Sequence, residues 1–386
     1  MISIRGSIPD KIINEAFETH TNFVIKEVNI RIDFYINLFE TIKNIKKNTK
    51  VTIIEEKVKK HIHHTQYESF IKIIYIKEKS FTKKKYSWLK KSNLFKDELR
   101  DCNKVIHQLK LLKKCTKYII SLDLSSNENN LKIYLKFRNR INLIKCLLSK
   151  IFDYDNWFNI LDLNKDWGPY QLTTKLDLKT CCYCNNNYTF SITEGQKKVM
   201  RPDLDHFLPK SEHPLLALSF YNLIPSCKIC NQTLKHDVSF NYEDYISPYE
   251  NNPNHNYLQF DYYPKDYEAS IGNSDKLYII TKNNGLVYGQ EIFNKLKNHQ
   301  KVFKYDIVYN LHTDIVRDII KKRVISNDKY IETLIKTFPT ANLSIEQAYQ
   351  IAYGNYYNEK DFIKRPLSKL TKDIAISIGI IKIKKP

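Results

Sequence analysis

The stretch Asp203-Leu204-Asp205-His206-Phe207-Leu208-Pro209-Lys210 decides how this chain reads, together with Tyr221-Asn222-Leu223-Ile224-Pro225-Ser226-Cys227-Lys228-Ile229-Cys230-Asn231. It sets a carboxylate beside an imidazole, then a carboxamide, then a C-x-x-C pair with a second carboxamide directly after it. Hydrolysis of a phosphodiester needs a base for water, a cation for the developing charge and a rigid frame. His206 can be the base near neutral pH. Asp205 is a hard oxygen ligand, and Asn231 offers a neutral carbonyl oxygen. So sparse a set leaves room for waters and suits Mg²⁺ (or Mn²⁺), which gives up its hydration reluctantly. Neighbours on a regular strand point to opposite faces. Asp205 and His206 can therefore act together only on a bent strand, or one wrapped by the loop from Pro209 to Phe220. The Asn222 amide is expected to bind loop backbone and hold His206 in place.

Outward from this stretch lie the cysteines. Cys181 and Cys184 form one C-x-x-C, and Cys227 and Cys230 form another, starting 46 residues after the first. Two such knuckles predict a structural four-thiolate Zn²⁺ site. They bracket the central segment, and Asn231 follows Cys230 directly, so the zinc would fix the start of the helix that carries it. Cys182 reads as a spectator. Cys102, Cys115 and Cys146 are scattered through helical-looking sequence and read as small buried hydrophobes.

Three parts follow: a basic helical region at 1–170, a zinc-stapled module at 175–245, and a C-terminal region at 246–386 with a small sheet and then helices. In the first, Lys104–Lys114 and Leu131–Phe152 place apolar residues at helical spacing with lysines between them. Ser125–Asn130 is a polar break. Lys83–Lys85, Lys90 and Lys91 flank Tyr86 and Trp88, a mixture that can grip a phosphate backbone and stack on bases or simply face solvent. His61, His63 and His64 lack a partnering Cys or Asp pattern and do not read as a ligand set. In the second part, Tyr188, Phe190 and Ile192 alternate with polar residues as a strand does. Glu194-Gly195 reads as a turn and Val199–Phe207 as a returning strand. In the third, Tyr257–Tyr262 and Lys276–Ile280 read as strands. Helices are expected at Glu291–Tyr309, Asp314–Ile325, Ile331–Phe338, Ile345–Tyr353 and Lys369–Ile378. The fold class is α+β.

Of the 386 residues, 62 are Lys or Arg and 42 Asp or Glu, giving +20. Residues 1–150 hold 32 basic and 15 acidic side chains, a surplus of 17, while residues 151–240 hold 9 and 10. A basic arm beside a neutral centre suggests a polyanion gripped by one part and worked on by another; a solvated lysine-rich surface is the alternative. Hydrophobic residues at 42% exclude a wholly disordered chain. No apolar run is long enough to span a membrane, and the first residues lack the pattern of a secretory leader, so a cytoplasmic protein is expected.

Taken in order, Asp205-His206, Asn222 and Asn231 inside two C-x-x-C knuckles resemble the HNH endonucleases and their ββα-metal fold. Asp205-His206 matches the first motif position, Asn222 the central one, and Asn231 the last, where Asn commonly replaces His. The resemblance implies that His206 is the general base, that Asp205 and Asn231 hold the catalytic ion, and that Asn222 orients the loop. It also implies products with a 5′-phosphate and a 3′-hydroxyl. Asp205–Ser211 followed by Pro214-Leu215-Leu216 is similar to HNH proteins of bacterial anti-phage defence, such as the Septu type that works with an ATPase. Arg365–Leu370 also looks like a feature of bacterial HNH proteins of this size. DNA is then the expected substrate, and a regulatory protein such as an ATPase a possible partner. The chain itself carries no GxxxxGK(S/T) phosphate loop. Arg201, Lys210, His213, Lys228, Lys235 and His236 are candidate nucleic-acid contacts; His236 stands where many relatives carry Gly. Two other readings stay open: a zinc-stapled nucleic-acid-binding protein without catalysis, and RNA or tRNA cleavage by the same site.

Overall fold

A computed structural model describes residues 2–43, 101–126, 128–159, 166–195, 197–250, 257–326 and 330–380. His61, His63, His64 and the lysines at 83–91 with Tyr86 and Trp88 lie outside them. The chain groups into two compact units. One holds Met1–Asn14, Tyr170–Phe207 and Ile224–Pro386; the other holds Glu15–Pro169 and Leu208–Leu223. This grouping cuts through the 175–245 stretch, because the loop after Phe207 goes with the helical unit.

That helical unit is built on α1 (Asp10–Lys43) and α2 (Cys102–Ile120), with α3 (Glu128–Arg140) and α4 (Lys145–Ile151) following. Val105, Leu109, Leu112 and Ile119 make the buried stripe of α2, at the spacing an amphipathic helix requires. Lys113 pairs with Asp33 and Lys110 with Glu40, so α2 runs antiparallel to α1. The expected single helix over 131–152 is broken into α3 and α4 by a turn at Ile141–Ile144. Within Leu208–Leu223, Leu215, Leu216, Leu218 and Phe220 are buried. This loop is thus an apolar element of its unit, and Phe220 meets Phe17 edge-on at 5.6 Å.

The other unit holds a short helix at Ile4–Ser7, then α5 (Pro169–Leu176) and the hairpin β1 (Ile192–Glu194) and β2 (Lys197–Met200). Gly195 turns that hairpin at φ +57°, a conformation glycine takes without a Cβ clash. β3 (Asp203–His206) pairs with β4 (Leu223–Ser226), and a π-helical segment, Ile229–Lys235, follows. β5 (Leu258–Pro264) and β6 (Leu277–Asn283) form an antiparallel pair in unbroken register from Leu258↔Asn283 to Pro264↔Leu277. α6 (Gln290–Phe303), α7 (Thr313–Ser326), α8 (Tyr330–Thr337), α9 (Ile345–Tyr353) and α10 (Ser368–Ser377) complete it. The fold is mixed helix and small sheets, the α+β class expected. No helix among the described residues is long and apolar enough to cross a membrane.

Candidate metal centre and the adjoining acidic strand

Cys181, Cys184, Cys227 and Cys230 are all buried, and their sulfurs lie within 4.8 Å of one another. A tetrahedral ion with metal–sulfur bonds of about 2.3 Å needs sulfurs only slightly closer than this. Backbone N–H groups already point at the sulfurs, Asn186 to Cys184 and Cys230 to Cys227, each at 3.4 Å. The Asn187 amide reaches Cys227 Sγ at 3.6 Å. Such donors favour thiolates. The thiols titrate as one unit: burial pushes Cys181 well up, while hydrogen bonding from Cys181 pulls Cys184 well down. The donor set fits a metal such as zinc. Cys182 is buried beside them, and its thiol turns to the Pro225 carbonyl.

The turn after the first knuckle is locked from the far end of the chain. Asn185 is left-handed at φ 49° and 1% exposed. Its carbonyl accepts from Leu367 N–H at 2.6 Å and its side-chain oxygen from Lys369 N–H at 3.1 Å. Its amide donates to the Phe362 carbonyl at 2.8 Å. The Arg365–Leu370 run therefore clasps the knuckle. Tyr305 and Tyr309 add phenols on the carbonyls of Tyr183 and Cys184.

Beside the cluster lies β3. Asp203 and Asp205 share one face of the strand, and the π-helical segment runs along them. Asn231 donates to Asp203 Oδ2 at 3.1 Å, and Gln232 to the same oxygen at 2.8 Å. Farther along, the Lys235 ammonium sits on Asp205, 2.6 Å from Oδ1 and 2.9 Å from Oδ2, and 2.6 Å from the His206 carbonyl oxygen. Tyr183, inside the first knuckle, donates its phenol to Asp205 Oδ2 at 2.7 Å. The Asp205 and Lys235 side chains are 5% and 4% exposed. His206 ends the strand and is half-buried.

This geometry bears on three expectations. Asp205 is not placed as a ligand of a divalent ion, because its oxygens accept from an ammonium and a phenol; Asn231 spends its amide N–H on Asp203. A Mg²⁺ ligand must offer a lone pair at about 2.0–2.1 Å, so the enclosed Asp205 carboxylate does not fit the ion as it stands. Lys235 is no surface contact for a nucleic acid; it is a buried counter-ion. His213 carries no charge for a phosphate near neutral pH, since burial lowers its pKa to about 4, with the Tyr134 phenol at 3.2 Å from its Nδ1.

The remaining residues fall out as follows. Lys210 pairs with Asp155 and lies over the Tyr154 ring, while Arg201 bonds the Pro202 carbonyl and faces the Tyr170 ring. Lys228 is exposed. His236 caps the π-helical segment at φ 38°, its Nδ1 2.8 Å from Asp237. Asn222 lies in the other unit, where its amide accepts from Leu208 N–H at 2.7 Å and donates to the Leu208 and Leu216 carbonyls. These bonds tie it to the backbone at both Leu208 and Leu216.

Fold and cluster together define a mixed α+β protein with a buried four-cysteine centre. No protein-family model matches the chain, and no solved structure does. Over 207 residues it is 26% identical to Septu protein PtuB of Bacillus thuringiensis, a match covering 52% of this chain and 74% of that protein.

Proposed function

We propose that this chain is an HNH-type endonuclease that hydrolyses phosphodiester bonds in DNA, acting in bacterial anti-phage defence. The observation that carries the reading is the strand–strand–helix order of β3, β4 and Ile229–Lys235, with His206 at the end of β3 and both knuckles of the four-cysteine centre adjoining it. Similarity to a Septu protein supports the defence setting. In this reading the His206 imidazole takes the proton from the attacking water, and the knuckles hold the strand that presents it. The frame is then rigid at the point where the proton moves. Dependence on Mg²⁺ or Mn²⁺ belongs to the proposal through the HNH resemblance alone. The enclosed Asp205 carboxylate does not fit the ion, so no step is routed through it. A regulatory protein partner follows from the same similarity, since an unrestrained nuclease would damage its host.

The test is an assay of the zinc-loaded protein on duplex DNA, single-stranded DNA and RNA, with Mg²⁺ or Mn²⁺. Cutting of DNA that stops on chelation and returns with Mg²⁺ is expected. Cutting of RNA alone would move the substrate class. Binding without any cutting would favour a non-catalytic nucleic-acid-binding protein.

A further inference from the structure

Asp205 is the most enclosed carboxylate beside the cluster, and what encloses it comes from both knuckles. Tyr183 stands between Cys182 and Cys184, so the four-cysteine centre fixes where its phenol points. Its ring stacks on Phe303 at 4.7 Å and its carbonyl is held by Tyr305. Lys235 lies five residues after Cys230, at the end of the π-helical segment. Its three N–H donors have three acceptors: both Asp205 oxygens and the His206 carbonyl. The Phe240 ring lies 4.6 Å from the same ammonium. The buried carboxylate accepts three hydrogen bonds from these neighbours, with a cation shared between its two oxygens, and the bond to the His206 carbonyl ties the strand end to the same cation.

We propose that Asp205 is the anchor of the site and not a ligand of its divalent ion: Tyr183 and Lys235 clamp its carboxylate, and through this clamp the four-cysteine centre positions His206. Tyr183, Lys235 and Asp205 are positioning residues. The inference rests on the nuclease reading for what His206 does, but the clamp can be tested without it.

The zinc-loaded full chain, labelled with ¹⁵N at lysine Nζ, is titrated with Mg²⁺ and followed by NMR. A buried, fully bonded ammonium exchanges slowly enough to give a signal, which is assigned by its loss in Lys235→Arg. The signal is expected in Mg²⁺-free protein and should persist at saturating Mg²⁺. A signal absent from the start, or one that vanishes as Mg²⁺ is added, overturns the clamp. In parallel, Asp205→Asn should slow cutting roughly tenfold to a hundredfold while the half-saturating Mg²⁺ concentration stays within about twofold of wild type. A rise of about tenfold or more in that concentration makes Asp205 a ligand and also overturns it. Persistence of the signal in a protein that cuts no nucleic acid leaves the clamp standing and sinks the nuclease reading instead.

Discussion

Asp205 and Lys235 are exposed at 5% and 4%, and a pair so enclosed matters most when one partner is removed. Lys235→Met leaves a buried carboxylate without its cation and should cost about 3–5 kcal/mol. Denaturant unfolding measures this, and adding Asp205→Asn should recover part of the loss. A single-variant cost below about 1 kcal/mol would mean that the pair is solvated after all. Buried imidazoles give a second prediction. Burial lowers His20 to about 4 and His299 to about 3. Unfolded, each titrates near 6.5, so the unfolded chain binds more protons below that pH. The stability these residues allow is complete above about pH 6.5 and falls as pH drops toward 4, by about 3 kcal/mol for His20. His20→Gln should flatten that slope in unfolding curves; an unchanged slope contradicts the assignment. At this scale the sequence displayed the four clustered thiols and the Asp-His pair. It hid the clamp, because Tyr183 and Lys235 lie 22 and 30 residues from Asp205 and meet it only after both knuckles close.

Elements were most legible where one periodicity ran unbroken. α9 spans the expected Ile345–Tyr353, and it starts on the Ser344–Gln347 capping box. β5 and β6 fall where alternation places them. Expectation failed where one residue breaks a pattern. Val199–Phe207 is two strands in two sheets, since Pro202 has no N–H to continue a ladder. The expected helix over Glu291–Tyr309 stops at Phe303, because Lys304 is left-handed at φ 50°. The Arg365–Leu370 run was visible as a feature but not as a clasp, because its partner Asn185 lies 180 residues away. Asn185→Ala removes buried bonds to Thr180, Phe362 and Lys369 and should cost about 2–4 kcal/mol. A melting temperature equal to wild type would argue against the clasp. Cys227→Ser should lower both folded yield and bound metal, since a structural site contributes folding free energy. An equally soluble variant free of metal would contradict a structural centre.

Over the whole molecule, charge is the legible property. Residues 1–150 carry a surplus of 17 positive charges. If that surplus grips phosphates, affinity for duplex DNA should fall steeply between low and moderate salt, and a flat salt profile would place the contact elsewhere. The division into compact units was not legible. Leu215, Leu216, Leu218 and Phe220 look like loop residues in sequence, yet their burial takes Leu208–Leu223 into the helical unit. The account turns most on His206, and one comparison tests it directly. Wild type and His206→Ala, equally folded and metal-loaded, are assayed for cutting and binding of the same plasmid DNA. The account predicts that the variant binds as wild type does but cuts at least about a hundredfold more slowly. Cutting at the wild-type rate would contradict it.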